Sequence, residues 1–330
     1  MKLAQYARRG PVPQDVIGVV ERDTPRPSAG EVLVEVLAAP INPSDVLTLT
    51  GGYGILPDLP AVGGNEGVGR VAALGDGVEA PAIGQTVLLP PGCGSWTTHV
   101  VAKPAALVSL PADADPVQLS MITVNPPTAY LLLREFADLR PGDWVLQNAA
   151  NSAVGGYLVQ LARARGLKTV NVVRREGARA VVEAAGGDVV LVDGEGLAER
   201  VATATGGARI RLGVDAVGGA ATDRLAMSLA PGATLVNYGA MAGEPCHVSA
   251  AALIFRGVSV HGFWRARWFR EAEAAGLEGL YGELAAGIRA GTLSARVQAT
   301  YGLDDIRDAV AAAAAEGREG KIVLLPNGRP

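Results

Sequence analysis

The residues best placed to do chemistry lie in one stretch, Trp144–Arg175. Asn148–Ser152 is small and polar and reads as a tight turn. The apolar run Trp144–Gln147 before it has β character. Ala153–Arg165 after it carries Val154, Tyr157, Leu158, Leu161 and Ala162 at spacings of three and four, a helix with one apolar face. Thr169–Val173 is β-branched and predicts a second strand. Strand, turn, helix and strand in about thirty residues make a βαβ unit with a right-handed crossover. A helix start of this kind offers unpaired N–H groups and partial positive charge to a pyrophosphate. Ala149, Ala150, Ser152 and Ala153 would let phosphates reach the backbone, and Gly155 and Gly156 would let helix and sheet approach. The usual G-x-G-x-x-G is absent, so the motif match is weak. About twenty residues beyond the turn, where an acidic residue would bind a ribose 2′-hydroxyl, stand Arg174 and Arg175. Two guanidiniums there suit a 2′-phosphate, hence NADP rather than NAD. They are also what an ordinary solvated strand end carries; together with the turn, the phosphate reading is preferred.

The elements around this unit change character along the chain. Before residue 120, Val16–Glu21, Glu31–Ala38, Gly67–Leu74 and Thr86–Leu89 read as strands broken by Pro and Gly, with Thr24–Glu31 a turn cluster. No βαβ alternation appears, which predicts a barrel-like, mostly antiparallel module. Tyr130, Leu131, Leu132, Leu133, Phe136 and Leu139 fit a helix opening after Pro126 and Pro127. Beyond the central unit, helices are expected at Ala178–Ala185, Gly196–Ala204 and Thr222–Leu229, with Thr222 as N-cap. Strands are expected at Asp188–Val192, Leu212–Ala216, Ala233–Tyr238 and Val258–Phe263. Such alternation gives a doubly wound parallel sheet. Gly282–Ala290 and Asp304–Ala315 read as terminal helices and Lys321–Leu325 as a closing strand.

The 330 residues suggest two domains, and 49% apolar content with 43 glycines is ordinary for an α/β protein. A net charge of −4 argues against general nucleic-acid binding. No run reaches the length of a membrane span. Cys93 and Cys246 are too few for a disulfide framework or a structural zinc site. The start, MKLAQYARRG, lacks an apolar signal core, so a reducing cytoplasmic setting is expected.

Four stretches carry a resemblance: INPSD with GGYGILPDLPAVGGNEGVG (Ile41–Gly69), TVNPPTAY (Thr123–Tyr130), QNAANSAVG (Gln147–Gly155) with NVVRR (Asn171–Arg175), and GFWRARW (Gly262–Trp268). On these the chain resembles the zinc-free branch of the medium-chain dehydrogenase/reductase superfamily, and within it the mitochondrial-type 2-enoyl thioester reductases. The resemblance implies a Rossmann sheet plus a GroES-like β catalytic domain. The NADP-binding domain would cover residues 123–267, and the catalytic domain residues 1–122 and 268–330. It implies NADPH, an enoyl thioester on CoA or acyl carrier protein, no nucleic acid or membrane partner, and a homodimer joined along Val258–Phe263.

The resemblance also assigns residues. Tyr53 matches the family's proton donor. Its own case is a Gly-rich loop able to approach a ligand and a phenol able to serve an enolate; a loop tyrosine packed for its area fits the bare sequence as well. Asn125 matches an asparagine contacting the cofactor, and Asn151, Ser152, Ala153 and Val154 match the phosphate turn. Arg174, Arg175 and Glu176 match the 2′-phosphate region, although the family often has an acidic residue where Arg175 stands. Tyr238, Gly239, Ala240 and Met241 match the nicotinamide-side loop. Phe263, Trp264 and Arg265 match a further lining segment, where aromatic residues also suit a core or a dimer seam, and Lys321 matches a late lysine near the cofactor. Arg265, Arg267 and Arg270 form a short basic stretch suited to CoA phosphates or an acidic carrier, or simply to water.

No metal is expected. The early loop has no cysteine, the position of a His–Glu pair reads Asn65–Glu66, and His99, His247 and His261 show no ligand spacing. The implied activity is NADPH-dependent reduction of an enoyl thioester C=C bond. A quinone oxidoreductase of the same superfamily is the first rival, and a cofactor-bound RNA-binding or structural protein the second.

Overall fold

The computed structural model describes residues 1–272 and 274–328. The chain divides into two compact units, Met1–Val124 with Ala274–Pro330, and Asn125–Glu273.

The second unit is a six-stranded sheet. Its order is Val189–Val192, Lys168–Val173, Trp144–Gln147, Leu212–Asp215, Thr234–Asn237 and Ser259–Gly262. Every neighbouring pair is parallel. Numbered within the unit, this is the order 3-2-1-4-5-6 of a dinucleotide-binding sheet, reversing between Trp144–Gln147 and Leu212–Asp215. Leu146, Val170, Val172, Leu225 and Leu235 are buried in its core. Apolar runs buried on both faces are what parallel strands covered by helices require.

The first unit is β-rich. Its long strand Val32–Ile41 pairs antiparallel with Val68–Leu74, with His99–Ala102 and with Lys321–Leu324. The last of these pairs parallel with Val297–Tyr301. A separate antiparallel sheet joins Ile17–Glu21, Lys2–Tyr6 and Ala61–Val62. The core centres on Trp96, fully buried, whose indole N–H donates to Pro40 O at 3.3 Å. A Cβ on Gly63 would stand 2.2 Å from that indole, which is why glycine precedes the Asn65–Glu66 pair.

Several expected elements differ. The helix expected to reach Phe136 and Leu139 spans Asn125–Arg134, with both prolines inside its first turn. Proline is tolerated there because those N–H groups have no intrahelical partner. Thr222 is not an N-cap. The helix runs Gly219–Ser228 with Gly218 before it, and Thr222 sits inside with its hydroxyl donating to Asp215 Oδ2 at 2.7 Å. The helix expected at Gly282–Ala290 begins earlier, spanning Ala274–Arg289. Pro43–Thr50 and Arg265–Glu271 are helices, and His99–Ala102 and Val297–Tyr301 strands, that periodicity did not predict.

Candidate active site

In the second unit, Gln147 ends the first strand and the chain turns through Asn148–Ser152. Ala149 has φ +45°, a left-handed conformation that closes the turn. Ser152 caps the helix Ala153–Ala164: its Oγ accepts from Gly155 N at 3.1 Å, and its carbonyl from Gly156 N at 2.9 Å. The side chains of Ala153 and Val154 are short, so the exposed end of the first helical turn stays open to an anion. Gly155 is held by contact. A Cβ there would lie 2.5 Å from Ala150 O, whereas one on Gly156 would meet nothing within 4 Å. The turn therefore fits a pyrophosphate. Asn151 is half-buried beside it.

The neighbouring strand Lys168–Val173 delivers Arg174, Arg175 and Glu176, all exposed. Glu176 is engaged by Arg179 Nε at 3.3 Å, which offsets its charge near the two arginines. This end fits a 2′-phosphate.

At the carboxyl ends of the next strands a polar cluster forms. Asn148 Nδ2 donates to Asp215 Oδ1 at 2.6 Å, across the point where the strand order reverses. The Tyr238 hydroxyl faces Ser152, which sets the Tyr238–Met241 loop beside the phosphate turn. Desolvation, aided by the nearby Asp215 carboxylate, raises the Tyr238 hydroxyl above an ordinary phenol. Gly239 lies against Ala216, whose carbonyl would be 2.7 Å from a Cβ. Ala240 and Met241 are exposed.

Phe263 N donates to Asn237 O at 2.8 Å, and its ring meets Phe136 edge-on with centroids 5.8 Å apart. Trp264 carries the Arg270 guanidinium 5.2 Å from its ring, and Arg265 lies 4.9 Å from the Phe269 ring. Arg267 pairs with Glu271 at 3.0 Å. Two of the three arginines are thus laid on the rings of Phe269 and Trp264. Asn125, buried, opens the helix Asn125–Arg134.

Tyr53 and Lys321 belong to the first unit. Tyr53 is half-buried in the loop after the helix Pro43–Thr50, which ends at Gly51 with φ +87°. Gly52 N donates to Leu47 O at 2.8 Å, and the Arg9 guanidinium donates to Pro57 O, so the loop is tied on both sides of Tyr53.

Lys321 lies in a buried charged cluster that the motif reading did not anticipate. Its ammonium donates to Ile41 O at 3.2 Å and to Asn42 Oδ1. Asn42 Nδ2 donates to Glu66 Oε1 at 2.6 Å. Glu66 Oε2 accepts from the backbone N–H groups of Thr123 and Val124 at 3.1 and 2.9 Å. Asp45 accepts from Asn42 N and from Asn65 Nδ2, each at 2.7 Å. Burial pulls the Lys321 ammonium down against the attraction of Glu66 and Asp45. The local sign of this cluster is in INPSD and NEG, where acidic residues flank apolar strands. Among the described residues no group of three or more His, Cys, Asp or Glu is arranged to hold a metal.

Comparison with known proteins agrees with this architecture. The alcohol dehydrogenase GroES-like domain matches residues 28–112, and the zinc-binding dehydrogenase family matches residues 153–278. The enoyl-[acyl-carrier-protein] reductase of Rattus norvegicus is 38% identical over 306 residues, 91% of this chain and 82% of that protein. Its counterpart in Mus musculus is 41% identical over 262 residues, 78% of this chain and 70% of that one. A mycobacterial quinone oxidoreductase superposes with TM-score 0.86 at 27% identity, covering 99% of this chain and all of that one. A complex of Etr1p with NADP and crotonyl-CoA shares the fold, with TM-score 0.86 at 24% identity over 98% of this chain and 99% of that one.

These relatives correct one expectation. The enoyl reductases from rat and mouse are mitochondrial proteins, which overturns the cytoplasmic setting inferred from the two cysteines and the N-terminal sequence. A paucity of cysteines reports a reducing compartment without saying which one. The chain belongs to the zinc-independent branch of the medium-chain dehydrogenase/reductase superfamily, in the family of the enoyl-[acyl-carrier-protein] reductases.

Proposed function

We propose that the chain catalyses NADPH-dependent reduction of the C=C bond of trans-2-enoyl thioesters carried on CoA or acyl carrier protein. The observation that carries the cofactor half is the Ser152-capped turn followed by a strand ending in Arg174 and Arg175. The reaction class is supported by the identity to enoyl reductases over 91% of the chain.

The unit Asn125–Glu273 is the NADP-binding domain in this reading, and the β-rich unit the catalytic one. Ser152, Ala153 and Val154 hold the pyrophosphate, with Asn151 beside them. Arg174 and Arg175 hold the 2′-phosphate, with Glu176 neutralised by Arg179. Asn125, Tyr238, Gly239, Ala240, Met241, Phe263, Trp264, Arg265 and Lys321 complete the cofactor contacts. Bound NADPH supplies a hydride to the β-carbon of the alkene. Negative charge then develops on the thioester oxygen as an enolate, which hydrogen-bond donors stabilise. Tyr53 delivers or relays the proton to the α-carbon. Neither step needs a Lewis acid, because the carbonyl already conjugates the alkene.

The edge strand Ser259–Gly262 is exposed along its length, next to Ile254 and Phe255 at 72% and 84% exposure. An exposed sheet edge preceded by an exposed apolar turn is a pairing surface, and we assign it to a second copy of this chain. The likeness to a quinone oxidoreductase favours quinone reduction as the second reading.

NADPH consumption with short and long trans-2-enoyl-CoA, beside NADH and a simple quinone, tests the reading. Fast turnover of enoyl-CoA with NADPH supports it, and turnover with quinone alone removes the reaction class. Tyr53→Phe should lower turnover by at least about 100-fold, in the range of a lost acid catalyst, and leave NADPH binding intact.

A further inference from the structure

The second unit holds a buried carboxylate to which neither phosphate binding nor proton transfer gives a task. Asp215 is fully buried at the end of its strand, and five donors converge on it. Oδ1 accepts from Asn148 Nδ2 at 2.6 Å, Val217 N at 2.8 Å and Gly218 N at 3.1 Å. Oδ2 accepts from Thr222 Oγ1 at 2.7 Å and Asn237 Nδ2 at 3.1 Å. The cluster therefore ties together the carboxyl ends of three adjacent strands, at the place where open α/β sheets bind ligands.

Asn237 passes this order onward. The same Nδ2 donates to Gly239 O at 2.9 Å. An amide side chain can present either its N or its O, and the network decides which. Asp215 offers acceptors only, so the N end must face it, and the second N–H is then aimed at Gly239. Three backbone bonds continue the alignment: Tyr238 N to Asp215 O at 2.9 Å, Met241 N to Ala216 O at 3.1 Å and Ala242 N to Val217 O at 2.9 Å. Met241 is 63% exposed, so packing does little to hold the far end of this loop.

We infer that Asn237, oriented by Asp215, is a positioning residue for the nicotinamide half of NADPH, because it fixes the Gly239 carbonyl and the course of Tyr238–Met241. The inference rests on the NADPH reading above. It predicts a split between the two halves of the cofactor. The phosphate turn and Arg174–Arg175 remain in place when Asn237 is changed; only the nicotinamide-side loop is released.

The test titrates full-length Asn237→Ala with NADPH and with adenosine 2′,5′-bisphosphate, alongside melting temperature and enoyl-CoA turnover. The bisphosphate should bind within about twofold of wild type, while NADPH affinity falls about tenfold and turnover about 100-fold, the scale of a misplacement near 1 Å. Equal weakening of both ligands would mean a general structural effect and overturn the inference, as would unchanged NADPH affinity and turnover. Should Asn237→Ala fail to fold, Asn237→Ser decides. Its hydroxyl has one donor, which can serve the Asp215 carboxylate and leaves none for Gly239 O, while Asp215 and its bond from Asn148 are untouched, so the same split is expected. Wild-type NADPH affinity in Asn237→Ser would overturn the inference. A wild-type protein that binds neither ligand would instead remove the NADPH reading itself.

Discussion

The Lys321 ammonium donates to the Asn42 side chain across 279 residues of sequence, in an interior shared with Glu66 and Asp45. Removing one member of such a cluster leaves the others charged and uncompensated, at a cost of about 3–5 kcal/mol. Lys321→Met should therefore lower the stability of the protein by that order in denaturant unfolding, before any effect on cofactor is considered. A loss below about 1 kcal/mol, the size of an exposed ion pair, would show that the cluster is not held together by this ammonium.

Asp45 gives the cluster a pH signature. Burial raises its carboxyl to about 6, outweighing the hydrogen bonds from Asn42 and Asn65 and the attraction of Lys321. A carboxyl raised in the folded state binds its proton more tightly there than in the unfolded chain. The stability this contributes is complete below the unfolded value and is lost as pH rises through 6. Between pH 4 and 6.5 the wild type should lose on the order of 1–3 kcal/mol relative to Asp45→Asn. Parallel stability curves for the two proteins would place the Asp45 carboxyl in the ordinary range.

Gly155 and Gly156 are adjacent in sequence and opposite in consequence. A Cβ at Gly155 would press on Ala150 O, C and Cα at 2.5–2.7 Å, so the backbone of the phosphate turn must move. Gly155→Ala should cost about 1–3 kcal/mol as an overpacked site, and weaken NADPH binding with it. Gly156→Ala meets open space and should stabilise the helix by about 0.5–1 kcal/mol. Thermal melts of the two variants should move in opposite directions.

Much of this architecture was legible because it is local. The strand Trp144–Gln147 and the helix beginning at Ala153 follow from apolar spacing, and the parallel sheet from alternation. Ser152 could be placed in the turn by its type, but its two roles, capping Gly155 N and meeting Tyr238, needed coordinates. What stayed hidden is convergence. Asn148, Asp215, Thr222 and Asn237 come from four elements, and no periodicity reports that they share one carboxylate. Thr222 departs from the capping role its type suggests for that reason: a threonine near a helix start looks like a cap until Asp215 claims its hydroxyl. The link from Glu66 through Asn42 to Lys321 was hidden by the same distance along the chain.

Cofactor choice rests on the end of the strand Lys168–Val173. Arg174 and Arg175 are exposed there, and the carboxylate of Glu176 is partly spent on Arg179, which also reaches Glu183 at 3.8 Å. Arg175→Asp would replace a donor for the 2′-phosphate by an acceptor suited to a ribose hydroxyl. A charge-assisted bond to phosphate is worth about 1.5–3 kcal/mol, so the ratio of kcat/KM for NADPH over NADH should fall by about 10- to 100-fold. Arg179→Ala tests the same geometry from behind. It frees Glu176 to repel the 2′-phosphate through solvent, so NADPH affinity should fall by only a few-fold, and the loss should shrink as salt is raised to about 1 M. An Arg175→Asp enzyme with the wild-type cofactor ratio would return both arginines to the status of a solvated strand end.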